Sequence, residues 1–171
     1  MKEADIIKFI QIFNIANKND IPDIPEGLLY SLGAYVTPIG GYCTKYINKT
    51  GANSIKGMGV CISSTVDNAV ELMVKDVPDV IGVFLEDGIP DGSEAWIVVK
   101  GKAECLFFNT PTRKHLARGS IGTETNYAPG KFYSEPFPSA PFATDKHFYE
   151  CGHVTESKAG PGLAIVELHQ N

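Results

Sequence analysis

The sequence has few positive charges. Lysine and arginine together number 15 against 20 aspartates and glutamates, which gives a net charge of −5 at pH 7. Proteins that hold a nucleic-acid backbone need a cationic surface for the phosphates. Arginine is especially scarce, being present only at Arg113 and Arg118, and this disfavours a bidentate anion clamp. We therefore expect no nucleic-acid partner.

Long hydrophobic runs are also missing. The longest apolar runs are strand-sized pieces such as residues 96–99, far short of the roughly 18 residues that a membrane-spanning helix needs. Near the N-terminus, Lys8, Gln11 and Asn14 interrupt the first apolar stretch, so it does not read as a signal peptide. The sequence predicts neither secretion nor a membrane partner.

Cysteines are few and far apart. The chain has four of them, and no two form a Cys-x-x-Cys pair. This spacing does not match a disulfide framework, and buried cysteine is common as a small apolar residue. We expect reduced, buried thiols at Cys43, Cys61, Cys105 and Cys151.

What is present is typical of one globular domain. The 171 residues are 43% hydrophobic, 10% aromatic and 20% charged. Residues 3–18 show helical spacing, with polar residues on one stripe and apolar residues over an unusually wide arc. Such an arc needs cover, either from its own domain or from a neighbouring subunit. We assign the second role to Ile6, Phe9, Ile10 and Phe13.

A connector rich in proline ends this arm near residue 25, and residues 26–171 have the character of a β body. The predicted fold class is mainly β, a single antiparallel β-sandwich or barrel-like domain with an N-terminal α-helical arm. Glycine-containing turns are predicted at 48–51, 86–92 and 159–162, and Lys-Gly-Lys at 100–102 predicts a tight hairpin. The predicted strands are 28–37, 42–47, 54–63, 69–74, 80–85, 95–99, 103–108, 150–155 and 163–169.

The pattern weakens between residues 109 and 146, where prolines alternate with aromatic residues. We predict a long surface loop, with one or two helical turns from Thr110 to Gly119. Loops of this length in small domains tend to serve function or contact other molecules. The candidate interface residues in this loop are Phe132, Tyr133, Phe137 and Phe142.

Candidate catalytic and metal-binding residues are sparse. Cys151, His153 and His169 fall on adjacent predicted strands and are borderline zinc ligands, but no fourth ligand can be named. The acidic residues within 86–91 lack the spacing of a calcium loop and fit turn chemistry. The prediction is therefore no catalytic residue, no metal and no cofactor.

Five segments together resemble small virion proteins of tailed bacteriophages. These are VIGVF at 80–84, DGIPDG at 87–92, AWIVVKGKA at 95–103, ECGHV at 150–154 and GLAIVELHQN at 162–171. With their surroundings, residues 42–108 and 150–171, they cover about half of the chain.

The resemblance implies an auxiliary or decoration protein on the assembled capsid, or the base of a head fibre, with no catalysis. Its partners would be the major capsid protein or other virion proteins and further copies of itself, as a trimer or dimer, and its location the virion. The N-terminal arm and the Pro/Phe-rich loop are not part of the resembling pattern. We expect residues 1–25 and 129–145 to supply most contacts between subunits.

Two alternatives stay open at this point. The first is a carbohydrate- or peptide-binding adaptor that uses the aromatic loop 132–142. The second is a β-rich metal-dependent enzyme built on Cys151, His153 and His169.

Overall fold

The computed structural model describes most of the β body. All described residues belong to the second of the two units into which the chain divides, residues 33–171. The predicted N-terminal helix lies outside the described residues, and so do the predicted interface residues Ile6, Phe9, Ile10, Phe13 and Phe142. The described residues are 34–76, 79–120, 124, 127–137 and 150–169.

The described residues form ten strands joined in one sheet, and none of them is in a helix. The mainly β class is confirmed. The strands are β1 (Ala34–Val36), β2 (Gly41–Asn48), β3 (Gly59–Ile62), β4 (Ala69–Leu72), β5 (Val80–Phe84), β6 (Glu94–Phe107), β7 (Leu116–Arg118), β8 (Tyr133–Glu135), β9 (Glu150–Val154) and β10 (Gly162–Leu168).

The strand order is β1-β2-β4-β3-β5-β6-β10-β9-β7-β8, and β2 also pairs with β6. That extra pairing closes a circuit of five strands, β2-β4-β3-β5-β6. The expectation of a purely antiparallel sheet is wrong at one ladder, because β2 and β4 run parallel. The connection between them includes β3 and is long enough for a parallel crossover.

The predicted hairpin at residues 100–102 is also wrong. One 14-residue strand, β6, continues through this segment. Its first half pairs with β2 and its second half with β10, and the change of partner occurs at Gly101. Gly101 has a φ of +80°, which suits a turn but serves here to bend a continuing strand beside an irregularity in the β2 ladder.

The predicted loop 109–146 contains regular structure. Where helical turns were expected before Gly119, the chain forms β7, because both edges of this short segment find partners in β8 and β9. Further along, Phe132 makes an isolated bridge with Phe107, and their rings lie 6.0 Å apart in the core. The described part of this segment is therefore joined to the rest of the sheet by the pairing of β7 with β9 and by the bridge from Phe132 to Phe107.

The acidic turn over residues 86–92 is confirmed. The Asp87 carboxylate accepts a hydrogen bond from the backbone N–H of Lys56 at 2.8 Å, and Asp91 accepts one from Gly51 at 2.9 Å. The buried Asn48 amide donates to the carbonyls of Ala52 and Ile89. The two aspartates thus hold neighbouring turns together.

Candidate functional site

A bulge in β9 decides which side chains can meet on the outer face of the sheet. Ala117 of β7 is opposite Gly152, but the next residue, Arg118, is opposite Glu150. Cys151 is therefore the extra residue of a β-bulge. Side chains normally alternate between faces, and one extra residue shifts the alternation. As a result Glu150 lies on the same face as His153.

The end of β10 brings the third residue to this face. Glu167 is directly opposite His153 in the ladder between β9 and β10. His169 lies two residues further, and its backbone N–H donates to the carbonyl of Cys151 at 3.1 Å. Strand alternation puts Glu167 and His169 on one face, while the buried Val166 and Leu168 occupy the other.

Glu150, His153 and His169 form a compact cluster, which we call the His₂Glu cluster. Glu150 Oε1 lies 3.5 Å from His153 Nε2 and 3.2 Å from His169 Nε2. The ligand atoms of the three residues all lie within 4.8 Å of one another. The imidazole centroids are 5.0 Å apart. Two imidazole nitrogens and one carboxylate oxygen thus lie close enough together to bind one ligand.

The cluster is sheltered on one side and open on the other. The Glu150 side chain is only 8% exposed, whereas those of His169 and His153 are 32% and 44% exposed. Among the described residues, the Nε2 atom of His169 is shielded from solvent and makes no hydrogen bond, while Glu150 Oε1 lies 3.2 Å from it. The exposed Phe137 ring stacks on His153, with centroids 6.4 Å apart.

Of the three residues expected to bind metal in the alternative enzyme hypothesis, the structure brings two together. Cys151 is not with the histidines, because the bulge turns its side chain into the core. Burial raises the pKa of the Cys151 thiol to about 12, against a weaker lowering effect of the Gly119 backbone. Glu150, which the sequence analysis missed, takes its place.

All four thiols are buried and none is in a disulfide, as predicted. Burial is the largest cause of a raised pKa at each of them, and it brings Cys43 and Cys61 to about 12. Burial also raises the pKa of the Cys105 thiol well above its ordinary value. A thiol with such a pKa is neither a ready nucleophile nor a ready metal ligand.

The predicted interface residues of the Pro/Phe-rich loop have different environments. Phe132 is fully buried, so its assignment to an interface is wrong: it packs against Phe107 within the same domain. Tyr133 is half-buried, with the Arg118 guanidinium 4.6 Å from its ring centroid. Phe137 is 55% exposed, and its assignment stays a prediction.

A buried network of ion pairs lies next to the Tyr133 ring. Arg118 is 1% exposed and donates hydrogen bonds to the carboxylates of Glu124 and Glu135. Burial alone would lower the pKa of Arg118, but the two carboxylates outweigh it and raise that pKa. Ser120 donates a further hydrogen bond to Glu124 at 2.8 Å. The sequence offered no periodic signal for this network, since its members lie in a segment predicted to be a loop.

In the part of the chain that the structure describes, no helix is long and apolar enough to span a membrane. No protein-family model matches the sequence, and no curated protein matches it.

Proposed function

We propose that this protein is a virion structural protein, an auxiliary or decoration protein that binds the assembled capsid of a tailed bacteriophage and performs no catalysis. Its partners are the major capsid protein or other virion proteins, together with copies of itself in a trimer or dimer. The likeness of residues 42–108 and 150–171 to small phage virion proteins carries this proposal.

The arrangement of the two similar segments supports the proposal. They are separated by about 40 residues of sequence, yet β10 of the second pairs with β6 of the first along its whole length, from Gly162 opposite Phe107 to Leu168 opposite Gly101. The parts that carry the likeness therefore make one continuous piece of sheet. If the likeness were due to chance, the two similar segments would have no reason to be neighbours in the sheet.

We further infer that the body is barrel-like, the second of the two architectures expected from the sequence. The pairing of β2 with β6 returns the sheet to its own earlier strand, which is how a sheet removes free edges. The predicted N-terminal helix then forms an arm whose apolar arc packs on a neighbouring subunit.

Large apolar side chains are also exposed on the described surface. On a symmetric capsid, many modest contacts are repeated, so avidity can replace a single strong binding site. Attachment of this kind does not require a deep pocket. The exposed residues are Ile39, Tyr42, Ile55, Ile62, Val74 and Phe137.

The oligomer gives the first test. We expect light scattering to show a dimer or trimer for the full chain, and a monomer for a Phe9→Asp, Phe13→Asp double variant. Each aspartate would bring a charge into the predicted subunit contact, and an unpaired buried charge is costly. The matched control is Lys8→Ala with Gln11→Ala on the polar stripe of the same predicted helix, and it should keep the oligomeric mass. A monomeric full chain would remove the subunit contact from the proposal.

A further inference from the structure

We propose that the His₂Glu cluster binds a divalent transition-metal ion, and that Zn²⁺ fits its donor set. Two imidazole nitrogens and one carboxylate oxygen, with a remaining position open to water, form a ligand set that suits zinc and related ions. This proposal does not depend on the proposed virion role and is tested independently of it.

The two separations between Glu150 and the histidines match tetrahedral coordination. Zinc bonds of about 2.0–2.1 Å to nitrogen and oxygen put neighbouring tetrahedral ligands about 3.3 Å apart. Glu150 Oε1 lies 3.5 Å from His153 Nε2 and 3.2 Å from His169 Nε2. The ligand atoms of the two histidines lie within 4.8 Å of each other, and the His153 side chain, 44% exposed, has room to rotate toward a shared ion.

The state of His169 is an independent observation in favour of an ion. A polar atom that is shielded from water normally has a hydrogen-bond partner, and the loss of one is costly. Within the described part of the chain, His169 Nε2 is shielded and makes no hydrogen bond, and Glu150 Oε1 is 3.2 Å from it. A metal ion bound to this nitrogen would satisfy it. The same ion would also bind the carboxylate of Glu150, whose side chain is 8% exposed.

The fold fixes two of these ligands on β9 and the third directly after β10. Glu150 and His153 are both held by β9, whose bulge aligns them, and His169 is anchored through its backbone to Cys151. An ion at this point would join the start of β9 to the end of β10. Because an ion that binds only the folded state stabilises it, Zn²⁺ should also protect the protein against thermal unfolding.

Calorimetric titration with Zn²⁺ tests the proposal on the full chain after treatment with a chelator. We expect one ion per chain, and a loss of affinity of more than about tenfold in each of His153→Ala, His169→Ala and Glu150→Gln. Glu167→Gln is the matched control. Glu167 is an exposed carboxylate directly opposite His153 but outside the cluster, so this variant should bind as the unmodified chain does.

Two further readouts separate a ligand role from a general effect on folding. Zn²⁺ should raise the melting temperature of the unmodified chain and of Glu167→Gln, but not that of His153→Ala, whose side chain is on the surface. Co²⁺ substituted for Zn²⁺ should show no thiolate charge-transfer band, since the four cysteines are buried. Absence of binding by the full chain, unchanged affinity in both histidine variants, or a thiolate band would each overturn the proposal.

Discussion

Replacing Arg118 with methionine is expected to lower the free energy of unfolding by about 3–5 kcal/mol. Arg118 is almost fully buried and donates to the carboxylates of Glu124 and Glu135, whose side chains are themselves only 9% and 14% exposed. Methionine fills similar space but leaves two sheltered negative charges without their shared cation. The cost comes from the loss of this cation beside the two sheltered carboxylates more than from the lost packing contacts.

Urea unfolding at neutral pH measures the effect. Arg113→Met is the matched control, because Arg113 is exposed and its replacement should stay within about 0.5 kcal/mol of the unmodified chain. Adding Glu124→Gln and Glu135→Gln to Arg118→Met removes the two sheltered carboxylate charges and should recover part of the loss. A loss below about 1 kcal/mol in Arg118→Met would mean that the network is weakly coupled to folding.

Replacing Phe132 with alanine should cost about 3–5 kcal/mol of unfolding free energy. The ring has no exposed surface and packs on Phe107 between the central strand β6 and the chain before β8. Its removal leaves a cavity among Met73, Gly59 and their neighbours, which are held by backbone hydrogen bonds and cannot fully collapse.

Phe137→Ala is the comparison that distinguishes core from surface within one segment. Phe137 is five residues away and largely exposed, so we expect its loss to change unfolding by less than about 1 kcal/mol. Urea unfolding and light scattering should be done on both variants. An unaltered stability in Phe132→Ala, with a changed oligomeric mass, would restore Phe132 to a subunit interface.

Local sequence signals were sufficient for the fold class and for most strand positions. Short β-rich runs between glycine turns predicted β2, β5, β9 and β10 to within about two residues, because both the turn chemistry and the alternation are local properties. The predicted hairpin around Gly101 was wrong because its outcome depends on a distant part of the chain. Its positive φ fits a hairpin or a bulged strand equally well, and the choice depends on β10, about 60 residues away.

The His₂Glu cluster could be predicted only in part. His153 lies on β9 as expected, and His169, expected on the adjacent strand, directly follows the end of β10. The two strands could be matched because hairpin partners can be read from the turn between them. Regular alternation along β9 would put Cys151 on the same face as His153. In the structure, Glu150 is on that face instead. The bulge that substitutes Glu150 exists because β9 must match β7, and no signal within β9 specifies it.

The Pro/Phe-rich segment shows a similar limit. Composition marks Phe132 and Phe137 alike as aromatic residues in a loop, yet one is core and the other is surface. What separates them is the bridge to Phe107, a contact between residues 25 positions apart in the sequence. Which aromatic residue is covered depends on this pairing and not on the residue type.

The central claim is that the chain is a component of an assembled phage particle. The most direct test is mass-spectrometric quantification of this chain in nuclease-resistant particles, purified by density gradient from a culture that produces it. We expect the chain to sediment with the particles at a fixed ratio to the major capsid protein across gradient fractions. Finding the chain only among unassembled proteins at the top of the gradient, with none in the particles, would contradict the claim.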